Sequence, residues 1–220
     1  MSRKLALIHT SATLVPIFGH LAQQYLQPKS VQVFNIVDDS LIKNTIRHDE
    51  LTPLTARRVV NYVASAEEAG ADFIMVTCSS IGPAVEMAAS LTAIPVLRVD
   101  QPMADKAVGM GKKLGVVATL ATTLEPTGEL VSRRAKEHGK TVEITTRLCE
   151  GAFEVLMDGL PEEHDRMVAD ALKTLAQEVE VIVLAQASMA RVVERLSPAE
   201  KPVPILSSPE IAMQYLSKVL

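Results

Sequence analysis

Phe73-Ile74-Met75-Val76-Thr77-Cys78-Ser79-Ser80-Ile81-Gly82-Pro83 is the stretch whose reading decides the fold. Its four leading apolar residues have the composition of a strand buried on both faces, as in a parallel sheet. A thiol, two hydroxyls and Gly-Pro follow, and then Ala84-Val85-Glu86-Met87-Ala88-Ala89, which reads as a helix. A strand that ends in Thr-Cys-Ser-Ser at the start of a helix delivers its thiol to unpaired backbone N–H groups. Such groups favour an anion and lower a thiol's pKa. Taken alone, a free cysteine in a turn of this kind is more often a small core residue, so the rest of the chain has to decide.

Outward from this stretch the same cycle recurs. Leu5-Ala6-Leu7-Ile8 is a strand running into the polar His9-Thr10-Ser11-Ala12-Thr13, and Val31 to Val37 is a second strand that closes on Asp38-Asp39-Ser40. Residues 55–69 place Ala56, Val59, Val60, Val63 and Ala66 at helical spacing, and Gly70 ends that helix. A helix over 83–91 and a strand over 94–99 complete the first half. The second half brings strands at 114–117, 141–148, 179–184 and 203–206, with helices at 165–178 and 209–219.

The halves are related by a repeat. Thr10 and Thr13 match Thr119 and Thr122 at an offset of 109, and Ser30-Val31-Gln32-Val33 matches Thr141-Val142-Glu143-Ile144 at 111. Ala71 to Ile81 matches Val179 to Met189 at 108, which sets Cys78 against Gln186, and Ile94 to Leu97 matches Val203 to Leu206 at 109. Four segments in one order with a nearly constant offset predict an α/β protein of two similar lobes with parallel sheets, related by a pseudo-twofold duplication. The lobes are expected over 1–99 and 100–207, with the C-terminal helix, 208–220, packing back on the first.

Composition narrows the partners. The chain has 220 residues, 48% hydrophobic but only 3% aromatic, so the core is aliphatic. A net charge of −4 without a basic block argues against nucleic acid as a partner. No apolar run reaches membrane-spanning length, and the N-terminus reads as a first strand, so a soluble, cytoplasmic protein is expected. Two cysteines without a His/Cys cluster exclude a zinc knuckle or a disulfide scaffold, and no metal is expected. Neither a GxGxxG nor a Walker lysine is present to support nucleotide binding.

In parallel α/β sheets ligands bind at the C-terminal ends of strands. Two facing lobes would gather those ends around one cleft, where the active site is expected. Thr10, Ser11, Asp38, Cys78, Ser79 and Ser80 would come from the first lobe, and Thr119, Thr122, Cys149, Gln186, Ala187 and Ser188 from the second. Hydroxyls and backbone N–H groups suit a small carboxylate or related oxyanion.

Val76-Thr77-Cys78-Ser79-Ser80, Gly115-Val116-Val117-Ala118-Thr119 and Leu184-Ala185-Gln186-Ala187-Ser188-Met189-Ala190 together resemble the aspartate/glutamate/hydantoin racemase superfamily over nearly the whole chain. The resemblance implies a homo-oligomeric, two-lobed isomerase that moves a proton at carbon without a cofactor, on a small carboxylate or hydantoin-like substrate. It implies two thiols, one on each face of the substrate. Cys78 matches the first, but Gln186 stands where the second is expected, and a carboxamide cannot serve as a proton-transfer acid or base near neutral pH. Three readings follow. Inversion continues with Cys149 as the leading substitute; or Cys78 makes a single proton transfer after decarboxylation or a related cleavage, with Gln186 holding the oxyanion; or the site only binds a small acid.

Overall fold

The computed structural model describes residues 2–220. By Cα proximity the chain divides into two compact units, Met1–Asp100 with Pro209–Leu220, and Gln101–Ser208.

The first unit is built on four parallel strands, β1 (Lys4–His9), β2 (Gln32–Val37), β3 (Phe73–Val76) and β4 (Val96–Arg98), in the order β2-β1-β3-β4. The two central strands are the apolar runs, and Leu5 to Ile8 and Ile74 to Val76 are fully buried. A strand covered on both faces needs no alternation, which is why these segments read as unbroken hydrophobic runs. Edge strand β2 is less buried and exposes Gln32, Asn35 and Val37. Helices α1 (Leu14–Tyr25), α2 (Ser40–His48), α3 (Pro53–Glu68) and α4 (Gly82–Ala89) connect the strands.

Two aliphatic layers sandwich this sheet. Val59, Val63 and Ala66 of α3 and Ala84, Val85 and Ala88 of α4 pack with Ala6, Ile8, Ile74 and Val76 on one side. Phe18 and Ala22 of α1 pack with Leu5, Leu7, Phe73 and Met75 on the other. That second layer is completed by Ala212, Met213 and Leu216 from the C-terminal helix (Ser208–Val219), each fully buried. Each buried Val, Leu, Ile, Phe or Met side chain in these layers contributes about 1.5–3 kcal/mol by leaving water.

The second unit repeats the plan. It opens with α5 (Gln101–Met110), and its strands β5 (Lys113–Ala118), β6 (Glu143–Leu148), β7 (Val181–Leu184) and β8 (Ile205–Ser207) are parallel in the order β6-β5-β7-β8. Helices α6 (Ala121–Glu137), α7 (Ala152–Met157), α8 (Pro161–Leu175) and α9 (Ala190–Arg195) connect them, and the C-terminal helix is α10. The strand order, the parallel pairing and the short 3₁₀ turn after the third strand are the same in both units: Ser79–Ile81 after β3, Ala187–Met189 after β7. No helix among the described residues is long and apolar enough to cross a membrane.

Candidate active site

Cys78 follows β3 in extended conformation (φ −136°, ψ 122°) and leads into the Ser79–Ile81 turn, after which Gly82 begins α4. The turn is closed by the Gly82 N–H donating to the Ser79 carbonyl. This conformation brings the Ser80 and Ile81 N–H groups and the Ser80 hydroxyl onto the Cys78 sulfur, and Thr10, at the end of β1, adds its own hydroxyl. Burial nonetheless pushes the Cys78 thiol above its usual range; these four donors work in the opposite direction and offset it only in part. The residue itself keeps some surface, but the ground around its sulfur is crowded. At neutral pH Cys78 is therefore a thiol, with donors arranged to receive a thiolate.

Gln186 stands in the same place in the second unit, with nearly the same backbone (φ −127°, ψ 136°) and the same 3₁₀ turn after it. Its side chain meets Thr119, the repeat partner of Thr10. Oε1 of Gln186 accepts from the Thr119 N–H at 2.6 Å and from the Thr119 hydroxyl at 3.0 Å. A backbone N–H can only donate, so the atom facing it must be the carboxamide oxygen, and the amide's orientation is fixed by chemistry. With Oε1 committed, the NH₂ group is the end of Gln186 left to meet a ligand. The side chain is a hydrogen-bond donor by design of its neighbour.

The other sequence candidates fall into distinct environments. Ser79 and Ser80 are buried in the Cys78 turn, whereas Ala187 is half-buried and Ser188 exposed. Ser11 is engaged locally: its hydroxyl pairs with that of Thr13 at 2.7 Å and accepts from the Thr13 N–H at 3.3 Å. The hydroxyl of Thr122 is buried without a hydrogen-bond partner among the described residues, whereas that of Thr119 is bonded to Gln186. Asp38 is saturated. Its Oδ1 accepts from the Ser40 N–H and hydroxyl, and its Oδ2 from Tyr62 and from Arg58. Burial works to raise its pKa, but the Ser40 and Tyr62 hydrogen bonds and the Arg58 charge hold it below the usual carboxylate range.

Cys149 ends β6, but its side chain sits in an aliphatic cluster with Ala152, Val168, Leu172 and Met189, and only 6% of it is exposed. Burial pushes this thiol up to about 11, with Arg147 pulling weakly the other way. His9, fully buried, spans Thr77 at 2.8 Å and Asn35 at 2.9 Å with its two ring nitrogens and lies against Phe18. Burial lowers its pKa, partly offset by the Asn35 hydrogen bond, so it is a neutral strut beside Thr77. Among the described residues no group of three or more His, Cys, Asp or Glu side chains is gathered to hold a metal.

Sequence reading missed one cluster in the first unit. Arg98, at the end of β4, is 3% exposed and grips Asp100, itself fully buried, through two parallel bonds of 3.0 and 2.8 Å. Its third donor reaches Glu86 on α4 at 2.6 Å. The signal was available in the repeat, because Arg98 follows the matched Ile94–Leu97 segment and lies opposite Ser207.

The sequence profile described as Asp/Glu/Hydantoin racemase matches residues 6–216. No curated protein matches the chain by sequence. Among solved structures, the fold is similar to glutamate racemase from Aquifex pyrophilus (18% identity, TM-score 0.72, covering 99% of this chain and 84% of that one). It is also similar to allantoin racemase from Klebsiella pneumoniae (17%, 0.71, 99% and 87%). A third similar structure is glutamate racemase from Francisella tularensis in complex with D-glutamate (13%, 0.72, 100% and 81%). Identities this low speak for the fold; the profile, which spans nearly the whole chain, speaks for the family. The chain belongs to the Asp/Glu/hydantoin racemase family and is an isomerase of the racemase type.

Proposed function

We propose that the protein transfers a proton, without a cofactor, at the carbon next to a carboxylate or carbonyl of a small acid of the amino-acid or hydantoin type. Cys78 is the acid/base, and the Gln186 amide donates to the oxygen that gains charge when the carbon is deprotonated. The observation that carries this reading is the pairing of each turn with its threonine: Thr10 donates to a thiol, Thr119 ties back a carboxamide oxygen. A thiolate at Cys78 would take the proton from carbon and leave an enolate, its charge on oxygen. Returning the proton from the same sulfur restores the starting isomer. Inversion needs a proton from the other face, and a carboxamide cannot supply it.

Cys149 is a poor candidate for that second proton. Its sulfur is enclosed by apolar side chains, and the residue is only 6% exposed. Solvent is then the donor on that face, and inversion is slower than exchange.

A second reading has a specific observation in its favour. A raised Cys78 pKa makes the resting group a proton donor, which suits protonation of an enolate left by loss of CO₂, again with Gln186 on the oxygen. Incubation in D₂O with aspartate, glutamate, 5-substituted hydantoins and substituted malonates separates the two. Deuterium at the α-carbon of intact acid supports proton transfer as the reaction. One deuterium in a product lacking CO₂ supports the decarboxylase. Turnover retained by Cys78→Ala defeats both.

A further inference from the structure

We infer that Arg98 is a positioning residue for the Cys78 turn, acting through Gly82, and that Gly82 is glycine because the Arg98 guanidinium occupies the place of a side chain. This rests on the reading of Cys78 as the acid/base.

The argument begins at β4. Arg98 pairs across the sheet with Val76, two residues before Cys78. From there its side chain runs to the start of α4. A Cβ placed on Gly82 would lie 2.2 Å from the Arg98 Cζ and 2.4 Å from Nη2, so the flat guanidinium rests directly on the Gly82 backbone. Asp100 holds the guanidinium from the strand side by a two-pronged carboxylate contact, and Glu86, one helical turn beyond Gly82, holds it from the helix side. Planar two-pronged pairing fixes orientation as well as distance. Burial works against the cation, but Asp100 and then Glu86 more than compensate, so the charge is retained.

Gly82 in turn closes the 3₁₀ turn through its N–H, and the amides just before it, of Ser80 and Ile81, are the ones aimed at the Cys78 sulfur. The clamp thus presses on the last residue of the turn that supplies the thiol's donors. The second unit provides the control. At the positions matching Gly82, Arg98 and Asp100 it has Ala190, Ser207 and Pro209; only Glu86 has a like partner, Glu194. Where the turn carries a carboxamide the arginine is gone, and a Cβ has returned at the matching helix start. The ion pairs at the start of α9 are different ones, Arg191 and Arg195 with Asp165 of α8, and only in the first unit does a guanidinium lie where the Cβ of the first helical residue would be.

The test reads the thiol itself, so it needs no substrate. Iodoacetamide alkylation of Cys78, resolved from Cys149 by peptide mass spectrometry, is followed across pH for wild type, Arg98→Met, Arg98→Lys and Gly82→Ala. Charged or titratable groups around the turn are Arg98, Asp100, Glu86 and, through Thr77, His9. In Arg98→Met and Gly82→Ala the alkylation midpoint of Cys78 rises by about one pH unit as its N–H donors drift. Arg98→Lys keeps the charge without the fork and moves the midpoint the same way by less. Should Arg98→Met fail to fold, Gly82→Ala carries the test, since it displaces the guanidinium without removing any charged residue. Folded variants that melt earlier yet keep the wild-type midpoint would overturn the inference and make the clamp purely structural. Failure of the acid/base reading looks different: Cys78→Ala would retain turnover while the alkylation shift remained.

Discussion

The turns after β3 and β7 share backbone, register and a threonine partner, and they differ in the one atom each presents. The first offers a sulfur that accepts hydrogen bonds from Thr10, Ser80 and Ile81; the second offers an amide whose oxygen is already spent on Thr119. Duplication has kept the cradle and changed the chemistry inside it. A threonine at a strand end is therefore not a ligand donor by default. In both units it sets the state of the residue on the neighbouring strand. What surrounds the turns also differs: Arg98, Asp100 and Gly82 brace the thiol, whereas the ion pairs beside the amide turn are those of Arg191 and Arg195 on α9 with Asp165 on α8.

The strongest way to break this comparison is Cys78→Ala. Removing the only proton carrier of the pair is expected to lower α-deuterium exchange by at least about 10³-fold while far-UV circular dichroism stays unchanged. Gln186→Ala comes next. Loss of an oxyanion donor costs about 10²–10³-fold in kcat, and a fall confined to KM would contradict that role. Thr119→Val removes one hydroxyl bond to Oε1 but keeps the backbone N–H, so about tenfold is expected.

Cys149 sharpens the contrast through stability. Its folded pKa of about 11 lies above the ordinary thiol value of 9.0, so the unfolded chain releases the proton first. Stability contributed by the neutral thiol is complete below pH 9 and falls as pH rises toward 11, by about 2–3 kcal/mol. Urea titrations should show this alkaline loss in wild type and a shallower one in Cys149→Ala, whose exchange activity stays within about twofold. The smallest effect belongs to Thr122→Val. Replacing a buried, unpartnered hydroxyl by a methyl of the same shape is expected to be neutral or to raise stability by up to about 1 kcal/mol. A drop in kcat/KM in that variant would return Thr122 to the substrate.

Most of the architecture was legible because the central strands are buried on both faces and write themselves as unbroken apolar runs. The repeat supplied the rest, including the opposition of Cys78 and Gln186. Helix α5 was not read from the sequence, although proline in the first helical turn is a start signal and the buried Met103, Ala104, Ala107 and Val108 follow it. The expected helix over 165–178 begins earlier, at Pro161, and ends at Leu175, again with proline leading and Glu162 and Glu163 in the first turn.

Side-chain allegiance was the harder part. Asp38, Ser11 and Thr122 have the right residue types at strand ends, yet their partners are Arg58, Thr13 and no one among the described residues. Pattern gives position, and only packing says which way a polar group is already committed. Arg98 was passed over for the opposite reason, since a buried arginine at a strand end has no sequence signature apart from its repeat partner being serine.

The central claim is that Cys78 moves the proton and Gln186 does not. Its most direct measurement is the ratio of α-deuterium exchange to inversion in D₂O, for an acid that the wild-type protein exchanges, compared with Gln186→Cys. The account predicts exchange well ahead of inversion in wild type, and a ratio approaching one when a second thiol replaces the amide. Wild-type inversion that already keeps pace with exchange, and is unchanged in Gln186→Cys, would contradict it.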